Sequence, residues 1–445
     1  MEVFLKYILL LILILSVRPQ GLDSMHRQGS RLPLDPCMHE TPRLIPQASN
    51  FSSSSQIERI MERFMDRSAL KGVTLALIKN EKLVYTQSFG WADQERDIPC
   101  SPTHLFRIAS VSKLITAVGI MKLVEEGKMN LDDPVFGPNG FFNEPEYLEI
   151  KDHKLKQITV KHLLNHTSGW TQRYGDPMFN SLEIAQKVGV PPPATLDTYL
   201  RFVISRRLYY SPGSTYSYSN MGYLFLGAII EKVSGMRYED YIRYKILYPN
   251  GIYNCHIGGS RFEERRSNEA RYYEQEGSER VLPFDGDTIP VPKTYGGNPI
   301  TLLGAAGGWI ASAPDLARFL CLIDGFDQVP DILSPESIRL MTPTGTLEKP
   351  LGWKETNEYH WYRTGSFAGS AAMLCRCTDG IEWVFLTNTS SWKGPDFSKD
   401  IVRLMNQILK RVKQWPETDL FSYYRVATDP LVSYPGNYPY FSSPF

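Results

Sequence analysis

Ser110 and Lys113 stand three residues apart, and Tyr218, Asn220 and the string Arg363-Thr364-Gly365 follow them in the chain. A serine hydroxyl is a poor nucleophile at neutral pH and needs a base beside it. Lys113 can be that base if its amine is partly neutral, and both burial and a nearby cation lower a lysine pKa. Arg363 would supply the cation. Tyr218 is the other candidate base, because cationic neighbours also stabilise a phenolate. Which of the two carries the proton is a coupled question that sequence leaves open. Tyr216 is an alternative to Tyr218, but only Tyr218 has an asparagine two residues later. Asn220 would orient the lysine or a substrate amide. Together these side chains can carry out acyl transfer: Ser110 attacks a carbonyl, an acyl-enzyme forms, and water releases it. That chemistry requires no metal and no cofactor.

The surrounding elements must bring positions 110 and 363 together. Ser110 to Glu126 carries Leu114, Ile115, Val118, Met121, Leu123 and Val124, which predicts a helix ending near Gly127. Residues three apart on a helix share a face, so Lys113 falls beside Ser110. Ile57 to Met65 predicts an earlier helix, and Val73 to Ile78 with Leu83 to Tyr85 a hairpin turning at Asn80-Glu81. After the third string, Ala371 to Leu374 and Trp383 to Leu386 read as strands around a turn at Asp379-Gly380, and Phe397 to Val412 as a closing helix. The long middle is helix-rich or irregular.

The order Ser110-Val111-Ser112-Lys113, Tyr218-Ser219-Asn220, Arg363-Thr364-Gly365 resembles the Ser-x-x-Lys, Ser-Asp-Asn and Lys-Thr-Gly set of the penicillin-recognising serine hydrolases. The string from Ile158 to Trp170 resembles one found in the class C β-lactamases and related esterases. Ser211-Pro212-Gly213, Gly304 to Gly308, Asp315 to Phe319 and Leu351-Gly352-Trp353 are similar to further phrases of that family. The likeness covers about residues 55–412. It implies an α+β, β-lactamase/transpeptidase-like fold, an antiparallel sheet flanked by helices with a largely helical insert. The sheet part would be 56–108 and 300–412 and the helical part 109–299, with the groove between them. The resemblance also implies Ser110, Lys113 and Tyr218 as catalytic residues, with Asn220, Arg363, Thr364, Gly365 and Ser366 binding substrate. The amides of Ser110 and Ser366 would stabilise the oxyanion.

A tyrosine opens the second motif here and an arginine the third, where the family usually has lysine or histidine and less often tryptophan. Arginine cannot shuttle protons but can grip a carboxylate with two prongs. Arg363 is therefore expected to bind the carboxylate of an acidic substrate terminus; the rival is that it points into solvent and the site is weak. Lactam-hydrolysing relatives typically keep lysine there. The expectation is an exported serine hydrolase acting on an ester, a D-amino-acid peptide or a β-lactam, with esterase or peptidase favoured over lactamase. A non-catalytic receptor or scaffold on the same fold is the alternative.

Lys plus Arg equals Asp plus Glu, at 48 each, so no global field draws the chain to nucleic acid or to acidic lipid. The expected partner is a small-molecule or peptide substrate. Lys6 precedes an apolar run from Tyr7 to Leu15, too short to span a bilayer comfortably and better suited to a signal peptide over 1–21. A linker at 22–55, a hydrolase domain at 56–412 and a tail at 413–445 complete the expected organisation. The product would be secreted or periplasmic, and an uncleaved membrane anchor is the competing reading. Cys375 and Cys377 would share one strand face, yet too far apart along the chain to bridge easily. His162 and His166 are four apart, but no metalloprotease string accompanies them, so both read as structural. His360 should face away from Arg363, and Lys293-Thr294-Tyr295 reads as loop.

Overall fold

The run from Val73 to Ile78 shows no alternation of polar and apolar residues, the pattern of a strand covered on both faces. In the computed structural model it forms β1 (Gly72–Lys79), buried along nearly its whole length in the interior of a sheet. The structure describes residues 51–424. The expected signal peptide, most of the expected linker, Cys37 and residues 425–445 of the expected tail lie outside the described residues.

The strands follow in the order β2 (Lys82–Asp93), β3 (Ile98–Pro99), β4 (Phe106–Arg107), β5 (Cys255–Ile257), β6 (Arg280–Val281), β7 (Val291–Pro292), β8 (Trp309–Ala311), β9 (Glu355–Thr356), β10 (His360–Phe367), β11 (Ser370–Cys377) and β12 (Ile381–Thr387). The main sheet has seven strands in the order β3-β2-β1-β12-β11-β10-β9. Its pairings are antiparallel, and β1 bonds to β12 from Val73 opposite Thr387 to Lys79 opposite Ile381. The early and late parts of the chain thus close one sheet. This is the α+β, β-lactamase/transpeptidase-like fold. The small strands β4, β8 and β5 form a second sheet in the order β4-β8-β5.

Side-chain alternation sends the sheet's residues into two cores. Leu75, Leu77, Met373 and Phe385 meet α1 (Ser54–Ser68) and the late helix Phe397–Leu409. Ala76, Ile78, Ala372, Val384 and Leu386 meet the larger core, which holds α2 (Ser112–Glu125). A slip of one residue would exchange the two sets, so burial on both faces fixes the register. Between the halves run α3 (Val160–Leu164), α4 (Ser181–Val188), α5 (Leu196–Ile204), α6 (Asn220–Ser234) and α7 (Tyr238–Tyr241), followed by α8 (Ala313–Cys321), α9 (Pro335–Met341) and α10 (Phe397–Leu409). Helix α2 is buried from Ser112 to Met121 and α6 from Asn220 to Ile230, so both are central helices without a solvent stripe.

The predicted helix from Ser110 begins two residues late. Ala109–Val111 is a 3₁₀ turn, and the α-helix starts at Ser112. Ala109 has φ 48°, a left-handed conformation that breaks helical geometry just before Ser110. Cys375 and Cys377 lie on β11 with sulfurs 4.0 Å apart, and both are free thiols.

Candidate active site

Three local devices present the motif residues. The first is the turn at Ala109, which sets Ser110 at the entrance of α2, partly exposed, with Lys113 in the first turn below it. The second is the start of α6. Ser219 is its N-cap, and the Ser219 hydroxyl accepts from Gly222 N at 3.1 Å. Ser219 is extended (φ −142°, ψ 118°), so Tyr218 and Asn220 project to the same side. The third is Gly365. A Cβ there would lie 2.2 Å from Ile108 O and 3.0 Å from Ser110 N, so only glycine lets β10 approach the serine turn this closely.

Lys113 is fully buried, and its Nζ has three polar neighbours: Asn220 Oδ1 at 2.6 Å, Ala306 O at 2.5 Å and Ser110 Oγ at 3.4 Å. The amide of Asn220 is oriented by Asp176, whose Oδ2 accepts from Asn220 Nδ2 at 2.7 Å. A carboxylate can only accept, so the asparagine turns its oxygen toward the lysine. Asp176 is held in turn by Gln172 Nε2 at 2.8 Å and Met178 N at 2.9 Å. A neutral amine has two N–H bonds and one lone pair. The two short contacts run to oxygens that accept both N–H bonds, which leaves the lone pair for Ser110. Burial, and then the Arg363 cation, hold the Lys113 amine well below its ordinary pKa, with Asp176 opposing.

Tyr218 Oη lies 2.7 Å from Ser110 Oγ, and Arg363 Nη2 lies 3.2 Å from Tyr218 Oη. Burial pushes the phenol above its ordinary pKa, although Arg363 and the bond to Ser110 pull it down. Burial wins, so Tyr218 carries its proton and the phenolate reading is not favoured. With the lysine neutral the donors run from Arg363 to Tyr218 to Ser110 to Lys113; with it charged, Lys113 donates to Ser110.

Arg363 corrects the expectation of a solvent-facing side chain. It is 2% exposed, so it does not point into solvent. Its Nε donates to Ser110 O at 2.9 Å while Nη2 reaches Tyr218, so two of its three nitrogens are engaged inside the protein. Arg363 and Gly365 are buried on one face of β10, whereas His360, Thr364 and Ser366 are half-buried on the other. The Thr364 hydroxyl accepts from Lys354 Nζ at 3.3 Å, and among the described residues it has no hydrogen bond to Ser110, Lys113 or Tyr218. Thr364 and Ser366 therefore bring main chain to the site rather than side chain. Tyr362 O accepts from Lys354 N at 3.0 Å on the edge of β10 that faces β9. By the two-residue repeat, the main-chain groups of Thr364 and Ser366 face the same edge.

Sequence reasoning missed Asp176, which lies in a stretch without period or motif. His166 has the structural place expected of it. That ring is buried, 4.5 Å from the Tyr218 ring and 5.3 Å from Tyr223, and burial keeps it neutral. It braces the phenol. His162 instead accepts from Thr159 N at 3.2 Å at the start of α3. The turn Gly304 to Gly308 presents the Ala306 carbonyl to Lys113.

A model of the Beta-lactamase family matches residues 57–404. The chain belongs to the beta-lactamase family. Among the curated relatives of this beta-lactamase-family chain, "Protein flp" of Staphylococcus aureus is 29% identical over 231 residues, which covers 52% of this chain and 43% of that protein. The chain thus spans less than half the length of that relative. The mouse serine beta-lactamase-like protein LACTB, mitochondrial, is 26% identical over 71% of this chain and 67% of its own. Among solved structures, the D-amino acid amidase of Ochrobactrum anthropi SV3 superposes with a TM-score of 0.62 at 23% identity, covering 82% of this chain and 99% of that one. Beta-lactamase-family proteins are generally serine hydrolases.

Proposed function

We propose that this protein is a serine hydrolase that works through an acyl-enzyme on Ser110. The observation that carries the reading is the placement of Ser110 Oγ, 2.7 Å from a phenol that donates to it and 3.4 Å from the buried Lys113 amine, whose two shorter contacts run to Asn220 and Ala306. Ser110 gives its proton to Lys113 as it attacks the carbonyl. Tyr218 protonates the leaving group, and the Lys113 proton returns to the phenol. The amides of Ser110 and Ser366 stabilise the oxyanion. Water enters where the leaving group was, and the same groups run in reverse to free the acid. Asn220 and Asp176 orient Lys113, and Arg363 supports the backbone of Ser110 and the phenol of Tyr218.

The substrate is an ester or a D-amino-acid peptide or amide rather than a β-lactam. Supporting this is Arg363, which turns inward at the position where lactam-hydrolysing relatives keep lysine. The enzyme is exported; the apolar run from Tyr7 to Leu15 after Lys6 supports that.

A fluorescent fluorophosphonate probe on the purified chain tests the nucleophile. Wild type should label and Ser110→Ala should not, and a panel of chromogenic esters, D-alanyl peptides and a cephalosporin then ranks the substrates. Equal labelling of both proteins, or none of wild type, overturns the reading.

A further inference from the structure

A second cluster of chemically capable groups lies away from Ser110. Arg376 pairs with Glu382 across β11 and β12, four residues along the strand from Ala372 opposite Leu386, the pair beside Gly365. That is roughly 13 Å along the sheet. Here Cys321 closes α8, Asp324 follows it in the connecting loop, and Glu382 is the second residue of β12. All three are buried, and one ligand atom from each lies within 4.8 Å of the others. Asp324 Oδ1 accepts from Phe326 N at 2.7 Å, no N–H donor reaches Asp324 Oδ2 or Glu382 Oε1, the two carboxyl groups lie within hydrogen-bond reach of each other, and both residues are 0% exposed. Neighbouring Glu81 is satisfied by Gln328 N at 2.7 Å and Val329 N at 2.9 Å. Arg376 is the cation at this end. Its guanidinium is sandwiched 3.9 Å from the Phe326 ring and 4.3 Å from the Trp361 ring, and its Nε donates to the Asp324 carbonyl at 3.0 Å.

We propose that Cys321, Asp324 and Glu382 form a structural zinc site that ties the end of α8 to β12. Two buried carboxylates with orphaned oxygens need a cation or a proton between them. A thiolate with carboxylates selects zinc over calcium or magnesium, which take oxygen alone. Cys321 Sγ lies 3.5 Å from Glu382 Oε2. A tetrahedral zinc with bonds of about 2.3 Å to sulfur and about 2.0 Å to oxygen has a sulfur–oxygen edge of about 3.5 Å. Binding releases two protons to solvent, the thiol proton and the one shared by the carboxyl pair, and no redox change is involved.

The test uses the full chain purified from cells grown with added zinc and, separately, with added cobalt. Mass spectrometry of the metal content should find about one zinc per chain after dialysis against a weak chelator. The cobalt-grown protein should show a near-ultraviolet thiolate-to-cobalt absorption band. Cys321→Ser should lose the band, and Cys255→Ser, a buried thiol elsewhere, should keep it. Wild-type protein with under about 0.1 equivalent of zinc and no cobalt band overturns the proposal. The Asp324–Glu382 pair then shares a proton, with the Cys321 thiol donating to Glu382.

Discussion

The guanidinium of Arg363 donates from Nε to the main-chain carbonyl of Ser110 at 2.9 Å, so the third motif grips the backbone of the first. The same group reaches Tyr218 Oη with Nη2 at 3.2 Å, which joins all three motifs through one side chain. A lysine at this position is a single point donor and cannot make both contacts from a planar fork. Arg363→Lys is therefore expected to lower kcat roughly a hundredfold through misplacement of Ser110 and Tyr218, with a smaller effect on KM. Steady-state kinetics on the best ester or D-alanyl substrate measures this. A variant that changes KM alone would mean that Arg363 binds substrate after all.

Charge makes Arg363 and Asp176 act in opposite directions. Activity needs Lys113 neutral and Tyr218 protonated, so it rises with pH through the lysine and falls through the phenol. Arg363 lowers both pKa values and Asp176 raises both. Arg363→Gln should move both limbs of the pH–rate profile to higher pH, and Asp176→Asn should move both to lower pH. A pH profile of kcat/KM checks the signs; limbs that stay fixed in both variants would remove Lys113 and Tyr218 from the titrating pair.

Tyr218→Phe removes the hydroxyl that donates to Ser110 and keeps the ring against His166. A loss of roughly 10²–10⁴-fold in kcat is expected, the range for a positioned proton-transfer group. The melting temperature should change little because the ring packing survives. A large fall in thermal stability with unchanged turnover would assign Tyr218 to structure.

Gly365→Ala places a methyl 2.2 Å from Ile108 O and 3.0 Å from Ser110 N. Something must move, and overpacking of this kind costs about 1–3 kcal/mol. Both stability and activity should fall, because the backbone that shifts is the one carrying Ser110. Chemical denaturation alongside turnover reads both; an alanine variant with native stability and rate would contradict the close approach of β10.

The fold was legible where burial leaves a one-dimensional trace. Val73 to Ile78 and Trp383 to Leu386 read as strands because both faces are covered, and Leu114 to Val124 read as a helix from its apolar spacing. The pairing of β1 with β12 came from the family resemblance, since no periodicity links residues more than 300 positions apart.

Spacing alone brought Ser110 and Lys113 together, because one turn of chain closes that distance, and it separated Tyr218 from Tyr216 by the asparagine that follows. It could not fix the direction of Arg363. That side chain turns inward because Gly365 lets β10 press against the Ser110 turn, where a carbonyl and a phenol wait for its fork. Nor could it find Asp176, a single acid in an aperiodic stretch whose value lies in orienting an amide 44 residues away. Local pattern records what neighbours in the chain do to each other. The protonation states of Lys113 and Tyr218 depend on burial and on charges from distant segments, and only the folded chain assembles those.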